Sequence, residues 1–231
     1  MIENSDFETF LYISKNKYQI FVYDKDNSKN FYNKEIKIID GNDLVCLSNF
    51  IDENIYKIEK MINSFIKNII LIIEDDNVLK IGMSIKKKNY EKYTYQKNLE
   101  NNLLEIKDIF RENYQDQIIM HMIIVNNNKN DDNYSSNNQK KKDKYLFLEV
   151  NFISVTSNFT SYFDRLLENH QIKITNYMSG DYIKSYFNDD QKELSVIANK
   201  LNNGFNDDEV KIISKNAKNK GFFEKFFQLF S

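Results

Sequence analysis

Three short runs rich in β-branched and aromatic residues, at positions 10–14, 18–23 and 35–39, precede a helical stripe and then an unbroken aliphatic run, Ile69, Ile70, Leu71, Ile72 and Ile73. A strand without polar alternation is one covered on both faces, so residues 69–73 read as a buried strand at the centre of a sheet. The three earlier runs are separated by polar clusters such as Asp24-Lys25-Asp26-Asn27 and predict an antiparallel meander. Between them and the buried strand, Ile55, Ile58, Ile62, Phe65 and Ile66 recur at three- and four-residue steps, with Asp52 or Ser48 as the expected helix cap. The order strand, strand, strand, helix, strand is one half of a ribonuclease-H-like or actin-like layout, in which a helix covers a sheet.

The remainder of the chain continues the mixture. Residues 78–85 predict a strand, Leu99, Leu103, Ile106 and Phe110 place an apolar stripe on a second helix, and residues 118–125 predict another strand. Residues 126–144 contain almost no apolar side chain and end near Lys140-Lys141-Lys142, so they read as a loop whose lysines face solvent. Residues 145–155 alternate like a strand and precede a helix through Phe163, Leu166 and Leu167, capped by Thr156 or Ser157. Residues 172–177 are expected to close this strand-helix-strand unit. Beyond Gly180, stripes at Leu194, Ile197, Ala198 and Leu201 and at Val210, Ile212 and Ile213 suggest a helical or partly disordered linker.

Composition narrows the possible chemistry. A formal net charge of −2 offers no global field for nucleic acid, so no nucleic-acid partner is expected. The single cysteine, Cys46, excludes an intrachain disulfide and a multi-cysteine metal site; between Val45 and Leu47 it reads as a small packing residue. Residues 1–6 are polar and acidic, predicting neither a signal nor a transit peptide, and no segment approaches the roughly 20 apolar residues of a membrane-spanning helix. A cytoplasmic protein is expected.

No Gly-rich phosphate loop, metal-ligand spacing or nucleophile motif is present, so no catalytic, cofactor-binding or metal-binding residue is assigned and no cofactor is expected. Of the two histidines, His121 lies between Met120 and Met122 within a predicted strand and reads as structural. His170 follows a helix, where the macrodipole favours a cation. Asp75-Asp76 stands at a strand end, a place where metal-dependent enzymes keep carboxylates, but Asn77 beside it suits a tight turn at least as well.

The last residues have the sharpest pattern. On a helical projection Phe222, Phe223, Phe226, Phe227, Leu229 and Phe230 fall within an arc of about 160°, opposite Glu224, Lys225 and Gln228. Lys218, Lys220 and Lys225 make the stretch locally cationic, as suits the boundary between lipid headgroups and acyl chains. Partial insertion of the rings would supply on the order of 5 kcal/mol. The expected membrane-binding residues are therefore Lys218, Lys220, Phe222, Phe223, Lys225, Phe226, Phe227, Leu229 and Phe230; docking of the same face on the protein's own core is the alternative.

In this order the elements resemble FtsA, the actin-like bacterial cell-division family that tethers the FtsZ ring to the inner membrane. Residues 68–84 look like the family's passage from a central strand into its inserted subdomain. Ile118-Ile119-Met120-His121-Met122-Ile123 and residues 148–174 look like that subdomain's His-bearing strand, variable loop and strand-helix-strand. Asp189-Asp190-Gln191-Lys192-Glu193-Leu194-Ser195-Val196 resembles the lead-in to the second lobe, and residues 218–230 resemble the family's terminal amphipathic helix. The sequence departs from the family where nucleotide binds. Ile13-Ser14-Lys15-Asn16 stands in place of the Asp and Gly of the first phosphate loop, and the second Gly-rich loop and most of the second lobe are absent.

The resemblance implies an α+β chain: a partial actin-like or ribonuclease-H-like first lobe over 1–86, a small α+β inserted subdomain over 87–180 with a disordered loop near 126–144, a helical linker over 181–217 and an amphipathic membrane-targeting helix over 218–231. It implies a non-catalytic division adaptor on the inner-membrane lipid surface, with a degenerate nucleotide site. FtsZ docks on the lobe that is missing, so later division proteins or self-association are the implied contacts. Two other readings stay open. One is an actin-like ATPase that completes its site by self-association; the other is a pilus-assembly adaptor of the related actin-like group.

Overall fold

The computed structural model describes residues 6–38, 44–88, 95–127, 145–188 and 193–211. It divides into two compact units, Met1–Val78 with Val155–Phe205, and Leu79–Ser154 with Asn206–Ser231.

The first unit is built on a five-stranded sheet. Strands β1 (Phe7–Ser14), β2 (Lys17–Asp24) and β3 (Lys29–Lys37) form an antiparallel meander, and helix α1 (Leu44–Ile62) leads into β4 (Asn68–Glu74), which runs parallel to β1. The spatial order is β3-β2-β1-β4-β8, where β8 (Lys173–Ser179) is parallel to β4. This is the mixed sheet that the opening strand order implies. Residues 69–73 are buried in full, as a strand flanked on both edges and covered on both faces must be.

Several local expectations are corrected. The third strand begins earlier than position 35, at Lys29; it is a largely exposed edge strand in which the half-buried Phe31 and Tyr32 stand side by side between polar residues and give no alternation to read. Helix α1 starts at Leu44, because Leu47, Phe50 and Ile51 extend the buried stripe of Ile55 and Ile58 toward the N-terminus. Ser48 and Asp52 are therefore interior helix positions and not caps. Phe65 lies beyond the helix and is 79% exposed, and Cys46 is partly exposed.

The largest correction concerns β8. The strand expected to close a unit with residues 145–155 pairs with β4 instead, and helix α3 (Ser157–Glu168) belongs with it to the first unit. The aliphatic β4 needs a neighbour on each edge, and β1 supplies only one. Tyr177 of β8 donates a 2.6 Å hydrogen bond to Asp164 of α3, and burial, reinforced by this carboxylate, pushes its phenol well above the ordinary range. His170 pairs with Asp52 of α1 at 2.9 Å, so a carboxylate holds it in addition to any macrodipole effect. After β8 come α4 (Gly180–Lys184) and α5 (Leu194–Asn202). Part of the expected linker is thus core: Ile197, Ala198 and Leu201 are buried, and Asn199 and Asn202 both donate to Glu8 of β1.

The β2–β3 turn is closed by Asp24, whose carboxylate accepts from the backbone N–H groups of Asp26 and Asn27 and from the Asn27 amide. These bonds, first among them the one from the Asn27 side chain, hold the Asp24 carboxyl below its usual range. A depressed carboxylate stabilises the fold above its unfolded pKa, and that contribution is lost as pH falls through the folded value. Asp24→Ala is therefore expected to lower the urea midpoint at neutral pH, with the gap to wild type closing in acid.

The second unit is a three-stranded sheet of order β5-β7-β6, formed by β5 (Val78–Lys88), β6 (Gln117–Asn127) and β7 (Tyr145–Thr156), with helix α2 (Tyr95–Asn113). Leu103, Ile106 and Phe110 of α2 pack with Met122, Leu148, Val150 and Phe152 in its core, as their helical and alternating spacings predict. Residues 208–210 attach to the free edge of β6. The Ile124 N–H donates to Asp208 O and the Val210 N–H to Met122 O. His121 is structural in this setting: it is 2% exposed, and its Nδ1 lies 2.7 Å from the buried Glu209 carboxylate. Most of the loop expected at 126–144, with Lys140 to Lys142, lies outside the described residues, as does Asp189 to Lys192.

Candidate functional site

Ligands of open sheets with parallel strands bind beyond the carboxyl ends of those strands, where the connections diverge. In the first unit the three parallel strands β1, β4 and β8 end abreast: Ser14 is in register with Glu74, and Ile73 with Ser179. Period-two alternation puts Tyr12, Ser14, Ile72 and Glu74 on one face at this edge.

Tyr12 is 2% exposed and its hydroxyl donates a 2.6 Å hydrogen bond to Glu74 Oε2. Lys184, in the last turn of α4, makes an ion pair with the same oxygen, and its Nζ lies 3.4 Å from Tyr12 Oη. Burial, then the hydrogen bond to Glu74, push the Tyr12 phenol above its ordinary range, so it stays a neutral donor. Burial alone would lower the Lys184 ammonium, but its bonds to Glu74 and Tyr12 outweigh that and leave it raised. The cluster is a carboxylate satisfied from within the chain by one phenol and one ammonium.

Gly180 makes this closure possible. Ser179 caps α4 by accepting from the Tyr182 N–H, and the chain then crosses directly over Glu74. A Cβ at position 180 would lie 2.9 Å from Glu74 Cβ and 3.3 Å from Tyr12 Cε2, so only glycine fits without a backbone shift. Gly180→Ala is expected to destabilise the first unit by about 1–3 kcal/mol, read from thermal unfolding.

The β1–β2 turn lies at the same edge. Ser14 Oγ accepts from the Lys17 N–H and donates to Asn16 Oδ1, so this hydroxyl and this amide serve the turn itself. Lys15 pairs with Asp76 and Lys17 with Glu35 at 3.1 Å. Asp75 accepts from the Asn77 N–H at 2.9 Å, which makes 75–78 the tight turn and uses one carboxylate of the Asp75-Asp76 pair. Among the described residues no group of three or more His, Cys, Asp or Glu side chains is placed to hold a metal ion. A nucleotide phosphate and its magnesium ion do not fit this edge: the turn has no glycine to wrap phosphate, α4 crosses above Glu74, and the lysines there are each paired with a carboxylate.

The expected membrane-binding residues, Lys218, Lys220, Phe222, Phe223, Lys225, Phe226, Phe227, Leu229 and Phe230, lie outside the described residues. Among the described residues no helix is long and apolar enough to cross a membrane. Tyr12, Glu74, Gly180 and Lys184 were not singled out by sequence. The available signals were a lone glutamate ending five aliphatic residues and one of only five glycines, four positions before a lysine.

No protein-family model matches the sequence, and no curated protein matches it. Among solved structures, the chain is similar to one in the PilM–PilN type IV pilus biogenesis complex, with a TM-score of 0.50 and 8% identity over 78% of this chain and 49% of that one. Two fainter likenesses are the cytoplasmic domain of EpsL, an inner membrane component of the type II secretion system of Vibrio cholerae (TM-score 0.39, 9% identity, 77% and 59% covered), and a Bacteroides thetaiotaomicron protein with an actin-like ATPase fold and unknown function (TM-score 0.34, 13% identity, 80% and 58% covered). The chain spans about half the length of the first, at 49%. The first of these bears on the fold alone and carries nothing of the cell-division part of the resemblance to FtsA. With the β3-β2-β1-β4-β8 sheet order, the first of them shows that the chain carries a partial actin-like fold.

Proposed function

We propose that this chain is a non-catalytic, protein-binding adaptor of a membrane-associated assembly machine, of the kind that builds type IV pili, and that it works without nucleotide. The observation that carries this reading is the carboxyl edge of β1, β4 and β8, closed by Tyr12, Glu74 and Lys184 beneath α4. A lobe whose ligand edge is filled by its own side chains acts through its surfaces. The pilus assignment rests on fold analogy alone, since the similar chain belongs to a type IV pilus biogenesis complex.

Residues 218–230 supply the attachment in this proposal, with Phe222, Phe223, Phe226, Phe227, Leu229 and Phe230 as the apolar side and Lys218, Lys220 and Lys225 as the cationic flank. Lipid attachment on the cytoplasmic side follows from them. The same segment is the feature that favours a second reading, the cell-division adaptor, whose resemblance ends in such a helix.

Co-sedimentation with anionic liposomes at low salt tests the proposal. The full chain is expected to pellet equally with and without Mg-ATP, while Phe223→Glu/Phe227→Glu and a truncation at Asn216 stay in the supernatant. Pelleting that requires Mg-ATP would contradict nucleotide independence; pelleting of all three forms, or of none, would contradict attachment through 218–230.

A further inference from the structure

We infer that the Glu74 carboxylate is a built-in anion: it fills, from within the chain, an oxyanion position formed by Lys184 Nζ and Tyr12 Oη at the carboxyl edge of the sheet. The inference rests on the proposed nucleotide-independent function and says what replaces a bound phosphate group there.

Glu74 ends β4 on the same face as Tyr12, and one of its oxygens takes both the phenol's hydrogen bond and the lysine's ion pair. A neutral donor and a cation converging on one oxygen are the partners that any small oxyanion, a carboxylate or a phosphate group, would use in the same place. The two donors come from opposite ends of the first unit's sequence, 172 residues apart, and Glu74 is the group that joins them. Gly180 fits the same account, because its missing side chain leaves the room that Glu74 Cβ and Oε2 occupy. The side chains of Lys184 and Glu74 are 43% and 28% exposed, so a small anion from solvent can reach the ammonium if the carboxylate is removed.

Replacing Glu74 should then create an oxyanion site that wild type lacks. Glu74→Ala removes the anion and leaves a space; Glu74→Gln keeps the shape and removes only the charge. Thermal unfolding of the full chain is compared in sodium chloride, sodium formate and sodium phosphate at equal ionic strength. Glu74→Ala is expected to melt below wild type in chloride and to regain more than half of the lost Tm in formate or phosphate, relative to the shift those salts give wild type, whereas Glu74→Gln, whose amide still fills the position, is expected to melt below wild type without that recovery. A gain in formate only marks a position shaped for a carboxylate, and a gain in phosphate marks room for a larger oxyanion; either supports the inference. Adding Lys184→Met should abolish the recovery, which a general salt effect would survive.

Glu74→Ser, which opens nearly the same space, keeps the test open if Glu74→Ala does not fold. A truncated variant that melts alike in all three salts, or recovery that persists without Lys184 or appears equally in Glu74→Gln, overturns the inference and leaves the proposed function standing. Specific, saturable stabilisation of wild type by phosphate would overturn both.

Discussion

Phe152→Ala is expected to be among the most destabilising single changes in the second unit, costing about 3–5 kcal/mol. Phe152 is fully buried and its ring stacks on Phe110 with centroids 4.4 Å apart. Phe110 is the last buried position of the α2 stripe, so one pair of rings joins the helix to β7. Truncation removes that ring contact and leaves a cavity in the cluster that Phe152 shares with Leu103, Ile106 and Val150. Amide hydrogen exchange should show lost protection in β6 and β7. Unchanged protection there would mean that α2 is held by other contacts.

His121→Leu is expected to cost about 1–3 kcal/mol, because it takes a hydrogen-bond partner from a buried polar group. The mutation puts an apolar side chain in a buried strand position but leaves the Glu209 carboxylate, 4% exposed, without its 2.7 Å bond to the imidazole. Its desolvation is then no longer offset by that partner. Residues 208–210 carry this carboxylate onto β6, where the Ile124 N–H donates to Asp208 O and the Val210 N–H to Met122 O. The amides of Ile124 and Val210 should exchange faster in the variant than in wild type. If they do not, the histidine is a packing residue and the bridge stands without it.

What the sequence makes legible follows from how local each signal is. The stripe of α2, the aliphatic β4 and the alternation of β7 are local, and each is seen where its spacing puts it. Strand β3 is a largely exposed edge whose two half-buried aromatic residues, Phe31 and Tyr32, are adjacent and set no alternation, so its N-terminal half is weakly marked in the sequence. The partner of β8 is hidden for a different reason: residues 173–179 read as a strand anywhere, and only the unfilled edge of β4 decides which sheet they join. The candidate site is the least local of all, with Tyr12 and Glu74 62 positions apart and Lys184 172 positions from Tyr12. Its chemistry uses common residue types, so no motif announces it. The Phe-rich segment at 222–230 has the reverse character, because its pattern is entirely local.

The glycine-free turn at 13–16 and the closed edge above Glu74 lie at the same end of the sheet, where Ser14 is in register with Glu74. The turn cannot wrap phosphate because Ser14 and Asn16 bond to it, and the edge cannot receive phosphate because Glu74 already satisfies the donors. An actin-like lobe with both features retains a rigid mixed sheet and loses the usual reason for its strand ends to open.

Isothermal titration of the full-length chain with Mg-ATP tests this directly. The closed edge predicts heats indistinguishable from dilution, at every temperature where the protein is folded. Saturable, magnesium-dependent binding, abolished by Lys184→Met, would show that the edge opens to nucleotide and would contradict the reading of this chain as a nucleotide-independent adaptor.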